Sequence, residues 1–297
     1  MNKSIKNNFQ TRNQDWEGRG LKRNLQEPCG IDFASNDYLG MSTNPAVLEA
    51  CHQAIDTYGT SACGARSLRG HSKLHKQVEA FAAYFSGTET SLLLPSGWQA
   101  NAAILSTLPT SQDILICDEY IHASLIDGAK LSKAQVDIFA HNDLLALEEK
   151  LSRAASFQQK FIVIEDVYSM DGDRAPIQSI LDLCETYDAY VILDLAHSAG
   201  IYDIRYESSS RIVTRTITGG KALGASGGLI CTSNECAELL INQGRPFVFT
   251  TAVDPITCTA LLKAMQFIEQ NPKVKDCLHE NTSYFREKLK NFKVETR

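Results

Sequence analysis

The chain has 297 residues, 43% hydrophobic and 22% charged, with a formal net charge of −6. That composition describes a packed globular protein, and without a long basic block it excludes a nucleic-acid partner. Nine cysteines, an odd number with no Cys-x-x-Cys pair, argue for reduced thiols and a cytoplasmic location, and no His/Cys cluster has metal-ligand spacing, so no metal is expected.

Residues 1–20 carry no apolar stretch after their basic residues, and the apolar runs elsewhere are strand-sized, which argues against secretion and against a membrane span. Residues 1–30 read as a polar N-terminal arm with some helix. Asn44-Pro45 then supplies an N-cap and a first-turn proline for a helix to about Tyr58. Ser72 opens a second helix, with Leu74, Val78, Phe81 and Phe85 on one face. From about residue 90, short apolar runs alternate with helical patterns, and strands are expected at 91–94, 114–117, 136–139, 161–164, 190–193, 211–217 and 228–231. Such alternation predicts an α/β fold with a mostly parallel seven-stranded sheet and helices on both faces. Ligands bind such sheets beyond the carboxyl ends of the strands, where Asp118, Glu165 and Asp194 fall. Beyond residue 255 the pattern is helical, over 257–270 and 280–290.

Four segments carry residue types suited to chemistry. Thr218-Gly219-Gly220-Lys221-Ala222-Leu223-Gly224 sets a lysine among small residues, where exposed amides suit an anion and low polarity makes the amine nucleophilic. A solvated lysine in a flexible loop is the competing reading. Asp194-Leu195-Ala196-His197 follows a buried strand; its acid could pair with a protonated ring nitrogen or merely cap a turn. His122, in Asp118-Glu119-Tyr120-Ile121-His122-Ala123-Ser124, could lie flat on an aromatic cofactor or be a structural histidine. Ser96-Gly97-Trp98 opens a helix, as phosphate-binding turns and ordinary strand-to-helix turns both do.

In order along the chain, these segments resemble the α-oxoamine synthases, pyridoxal-phosphate (PLP) enzymes of the class I/II aminotransferase superfamily. The likeness extends through Phe33-Ala34-Ser35-Asn36-Asp37-Tyr38-Leu39-Gly40, Gly64-Ala65-Arg66, Phe139-Ala140-His141-Asn142-Asp143 and Tyr168-Ser169-Met170-Asp171-Gly172-Asp173. It implies the large domain of the type I PLP fold over 31–255, after the arm of 1–30. It also implies that Lys221 is the Schiff-base lysine, His122 the ring-stacking histidine, Asp194 the pyridinium partner and His197 the neighbour of the ring oxygen. Gly97, Trp98 and Thr218 correspond to phosphate contacts, Ser169 and Asn36 to further site positions, and Thr250 and Thr251 to a pair offered across a homodimer interface.

The implied reaction condenses an amino acid with an acyl thioester, carried by coenzyme A or acyl carrier protein, and releases carbon dioxide to give an α-amino ketone. An aminotransferase, or a catalytically impaired subunit of the same fold, remains the alternative. Three departures stand out: Leu195 and Gly220 replace the usual polar neighbours, the stretch from Gly200 to Arg211 is short, and residues 256–297 read as the helical start of a truncated C-terminal domain. Since that domain supplies relatives with an arginine for the substrate carboxylate, the resemblance implies retained cofactor binding and weakened substrate handling.

Overall fold

The computed structural model describes residues 2–27, 29–206 and 210–290. The short stretch before Arg211 thus lies partly, and the last seven residues wholly, outside the described residues. The chain divides after Ser35. In the first unit, α1 (Lys3–Gly18) is capped by Asn2, whose side chain accepts from Ser4 N, and buries no residue.

The second unit runs α2 (Pro45–Tyr58), α3 (Lys73–Ser86), β1 (Thr90–Leu94), α4 (Gly97–Thr107), β2 (Ile114–Asp118), α5 (Ala123–Leu131), β3 (Gln135–Phe139), α6 (Leu144–Arg153), β4 (Lys160–Glu165) and α7 (Ile177–Tyr187). It continues through β5 (Tyr190–Asp194), β6 (Ile212–Thr218), β7 (Gly228–Thr232), α8 (Asn234–Gln243), α9 (Arg245–Val248), α10 (Pro255–Gln270) and α11 (Lys273–Lys290). Each strand falls on an apolar run read from the sequence.

The strands form one sheet in the order β1-β7-β6-β5-β4-β2-β3. Successive residues of β2, β4 and β7 are all buried, so both faces of the sheet are covered, as a mostly parallel sheet requires. The strand β7 runs antiparallel to both β1 and β6. Only residues 219–227 link β6 to β7, fewer than the dozen or so a parallel crossover needs, so the two strands form a hairpin. The lysine loop is the tip of that hairpin.

Asn44 caps α2 as its sequence suggests, accepting from Ala46 N and Val47 N, with Pro45 in the first turn. Ser72 precedes α3 but makes no capping bond; its hydroxyl meets His75 Nδ1 at 2.8 Å instead. The helix α10 packs against α2 and α3, burying Cys258, Leu261, Ala264, Met265 and Ile268.

At the sheet edge, Glu79 on α3 accepts from Leu93 N at 2.8 Å, so a carboxylate occupies a backbone donor of β1. The same carboxylate takes both arms of the Arg66 guanidinium, at 2.8 and 2.9 Å. A fork of this kind is stable when buried only while both partners are present. Glu79→Ala is therefore expected to lower the free energy of unfolding by about 3–5 kcal/mol. Urea denaturation measures the change, and a loss below about 1 kcal/mol, the value of an exposed pair, contradicts the assignment.

Candidate active site

The site is built at the carboxyl ends of β2, β4, β5 and β6. Asp194 ends β5 and is buried, and its Oδ1 accepts from Ala196 N at 2.8 Å. Its Oδ2 accepts from Asn101 Nδ2 of α4 at 2.7 Å. That amide also donates to Ser124 Oγ at 2.8 Å. Ser124 Oγ lies 2.9 Å from His122 Nδ1, and Ser124 N donates to the same nitrogen at 3.2 Å. His122 is thus the N-cap of α5, and the cap fixes the orientation of its ring.

Glu165, at the end of β4, pairs in parallel register with Asp194 and accepts from His122 N at 2.5 Å. Burial, followed by the charge of Asp194, pushes its carboxyl up to about 8. Two adjacent buried carboxylates resist simultaneous ionisation, which with burial favours the protonated form of Glu165.

Lys221 is buried enough that desolvation lowers the pKa of its amine, although Asp194 and Glu165 pull the other way. Its Nζ lies 2.7 Å from His197 Nε2, and His197 Nδ1 lies 2.7 Å from the Tyr38 hydroxyl. Burial, then the charges of Lys221 and His122, lower the pKa of His197 to about 4, leaving a neutral imidazole at pH 7. A lysine ammonium can only donate, so Nε2 accepts and Nδ1–H donates to Tyr38, whose hydroxyl donates to Asn36 Oδ1 at 2.9 Å. Asp194 and His122 thus share one hydrogen-bonded network and Lys221 and His197 a second, and the two influence each other electrostatically.

The glycines explain how the lysine loop reaches this place. Gly224 has φ +60°, and a Cβ there would lie 2.2 Å from Ser42 N, so only glycine lets the loop pass the segment before α2. A Cβ on Gly97 would lie 2.1 Å from Thr218 Oγ1. The Thr218 hydroxyl therefore stands beside the first turn of α4, where backbone N–H groups lack intrahelical acceptors. Trp98 follows in that turn and is half exposed, with Nε1 3.4 Å from Asp127 Oδ2. Ser169 is exposed and lines a cavity of about 280 Å³ with Tyr38, His197 and Arg286. Thr250 and Thr251 lie on the connection from α9 to α10.

Asn101, Ser124, Glu165 and Tyr38 had no individual role in the sequence reading. Glu165 carried a signal in its place at a strand end, and Tyr38 and Ser124 lay inside family-like motifs. Asn101 carried none, because a mid-helix asparagine becomes informative only once its neighbours are known.

A seven-stranded α/β sheet of this order with a lysine at the β6–β7 tip defines a type I PLP-dependent transferase. The pattern of the family described as "Aminotransferase class I and II" matches residues 29–296, and the chain belongs to that family, in its α-oxoamine synthase branch. It is 36% identical over 277 residues to 8-amino-7-oxononanoate synthase 2 of Bacillus subtilis, covering 91% of this chain and 71% of that one. Among solved structures, serine palmitoyltransferase of Sphingomonas wittichii superposes with a TM-score of 0.83 at 29% identity, covering 86% of this chain and 66% of the other. The serine palmitoyltransferase of S. paucimobilis, solved with PLP and myriocin bound, gives 0.88 at 25% identity, covering 97% and 80%. The chain thus spans roughly two thirds to four fifths of the length of these relatives.

Pyridoxal phosphate is the cofactor of this family, and the residues present fit it. The buried Asp194 carboxylate meets only neutral hydrogen-bond donors, leaving it suited to a cationic ring nitrogen, and the Gly97–Thr218 approach forms a cradle that a single Cβ would fill.

The raised pKa of Glu165 has a consequence for stability. Between the ordinary carboxyl value of 4.5 and about 8, the folded protein binds more protons than the unfolded chain, so stability falls as pH rises through that window. Glu165→Gln, which keeps an acceptor for His122 N, removes this contribution. In cofactor-free protein the variant's Tm is expected to gain on the wild type between about pH 5 and about pH 9. Parallel Tm profiles would rule out a protonated Glu165.

Proposed function

We propose that the chain catalyses a PLP-dependent condensation of an amino acid with an acyl thioester, losing carbon dioxide to leave an α-amino ketone. The observation that carries the proposal is the partly buried Lys221 amine, 2.7 Å from a neutral His197 and within electrostatic reach of Asp194 and Glu165. The relatives support this chemistry: the compound in the name 8-amino-7-oxononanoate synthase places an amine beside a ketone, and serine palmitoyltransferase names an amino acid and an acyl group.

Bound PLP supplies an electron-withdrawing ring into which negative charge at the amino-acid α-carbon spreads. Asp194 would hold the proton on the ring nitrogen, and its hydrogen bonds from Asn101 and Ala196 fix the carboxylate for that task. His122, oriented by Ser124, would lie against the ring face. His197, steadied by Tyr38, would meet the ring oxygen. Backbone amides of Gly97 and Trp98, with the Thr218 hydroxyl, would hold the phosphate, and Ser169 would border the substrate cavity. Lys221 anchors the cofactor and then moves the α-proton, a task that a lowered amine pKa favours. Desolvation of Lys221 favours the free amine.

Cytoplasmic location and a homodimer belong to the same reading. Among the described residues no helix is long and apolar enough to cross a membrane. Trp98 at the start of α4 and Phe249 after the neighbouring α9 are 46% and 71% exposed, surface that a second copy would cover. The division into an arm of 1–30, a cofactor domain of 31–255 and a helical segment from 256 is likewise proposed.

Incubation of carboxyl-¹³C, ¹⁵N amino acids with a panel of acyl thioesters, followed by mass spectrometry, tests the reaction. Labelled carbon dioxide and a product retaining ¹⁵N are expected, with Lys221→Ala slower by at least about 10³-fold. Transfer of ¹⁵N to a 2-oxo acid with the carboxyl carbon retained identifies an aminotransferase and contradicts the proposal, as does the absence of turnover with every pair.

A further inference from the structure

A second cationic side chain stands on β6, three residues before Thr218. Arg215, in the middle of β6, is 5% exposed. Its register partners are Leu193 on β5 and Cys231 on β7, both fully buried. Among the described residues the guanidinium makes one hydrogen bond, NH2 to the carbonyl of Arg205 at 3.3 Å, and its buried Nε has no partner. Desolvation lowers its pKa, Cys231 and Tyr206 act weakly the other way, and among the described residues no carboxylate is paired with it. Arg66, whose side chain is 8% exposed, is instead closed off by both oxygens of Glu79.

At the nearby end of α3, three carbonyls are already taken: Ala82 O by the Ser86 hydroxyl, Ala83 O by Thr88 N and Tyr84 O by Gly87 N. Glu89 is also engaged, accepting from Asn234 N at 3.1 Å and Asn234 Nδ2 at 3.0 Å at the start of α8.

Arg215 borders a cavity of about 500 Å³ whose wall includes Thr88, Glu89, Tyr190, Arg205, Val213 and Ser233. Tyr190 and Val213 stand at the amino ends of β5 and β6, whereas Asp194 and Thr218 end the same strands, so this cavity is distinct from the candidate active site. We propose that it binds a small oxyanion, a phosphate or a carboxylate group, with the Arg215 guanidinium as its anchor. A buried guanidinium without a counter-charge is costly, and its planar fork matches the paired oxygens of such groups. The volume admits a group larger than the free ion, so a phosphate monoester or a small carboxylic acid fits the same anchor.

The test uses holoprotein, its cofactor site already filled, titrated calorimetrically with inorganic phosphate and separately with acetate at matched ionic strength. Saturable binding of one ion per chain is expected for at least one of them, with Tm rising by roughly 3 °C at about tenfold excess over Kd. Arg215→Met should weaken binding at least tenfold and abolish the shift, while Arg215→Lys keeps part of it. A preference for phosphate or for acetate identifies the oxyanion class. Crystals of the wild-type holoprotein grown with the bound ion provide a readout that needs no variant, and should place it against Arg215. No saturable binding of either ion, binding unchanged in Arg215→Met, or an ion seated elsewhere overturns the proposal.

Discussion

The buried carboxylate of Asp194 is the constraint around which the cofactor end of the fold is arranged. A charge at 4% exposure has lost its water and must recover hydrogen bonds from the protein. Ala196 N supplies one from the turn after β5, and Asn101 supplies the other from α4. Because Asn101 also holds Ser124, and Ser124 holds His122, the carboxylate and the imidazole belong to one rigid network. Glu165 follows from the same constraint, since a second charge beside Asp194 is disfavoured and the strand register leaves it no other place.

The hairpin of β6 and β7 brings the remaining group. Its tip carries Lys221 and closes through Gly219 N to Gly227 O at 2.9 Å and Ala225 N to Gly219 O at 2.9 Å. These internal bonds make the loop a defined support, and the close passages at Gly97 and Gly224 leave it one route across the fold. The amine is thereby placed where burial and two carboxylates act on it in opposite directions, with burial the larger effect. The same strand carries Arg215 at its middle, so β6 presents one cation beside Asp194 and another whose one hydrogen bond among the described residues is to a backbone carbonyl.

Much of this architecture is legible in the sequence because the centre of the sheet is buried on both faces: continuous apolar runs mark β2, β4, β5 and β7, and the acids that end three of these mark the end at which ligands bind. The reversal of β7 was legible too, in the nine residues at 219–227, but a search for apolar runs alone gives no strand direction. Contacts set by register and helix rotation stay hidden. Asn101 reads as an ordinary polar helix residue until β5 is beside it, and the influence of Glu165 on Asp194 exists only across the β4–β5 pair. Arg66 and Glu79 are thirteen positions apart, and nothing in their local patterns signals a fork. Arg215 did interrupt an apolar strand, a local inconsistency of the kind that often accompanies a functional or compensated position.

The central claim is that the Asp194–His122–Lys221 constellation receives the cofactor through the Lys221 amine. Reduction of PLP-loaded protein with borohydride, followed by proteolysis and mass mapping, tests it most directly. The account predicts a stable pyridoxyl group on Lys221 in the peptide spanning the β6–β7 tip. A label confined to other lysines, or protein that emerges from the reduction unlabelled, would contradict it.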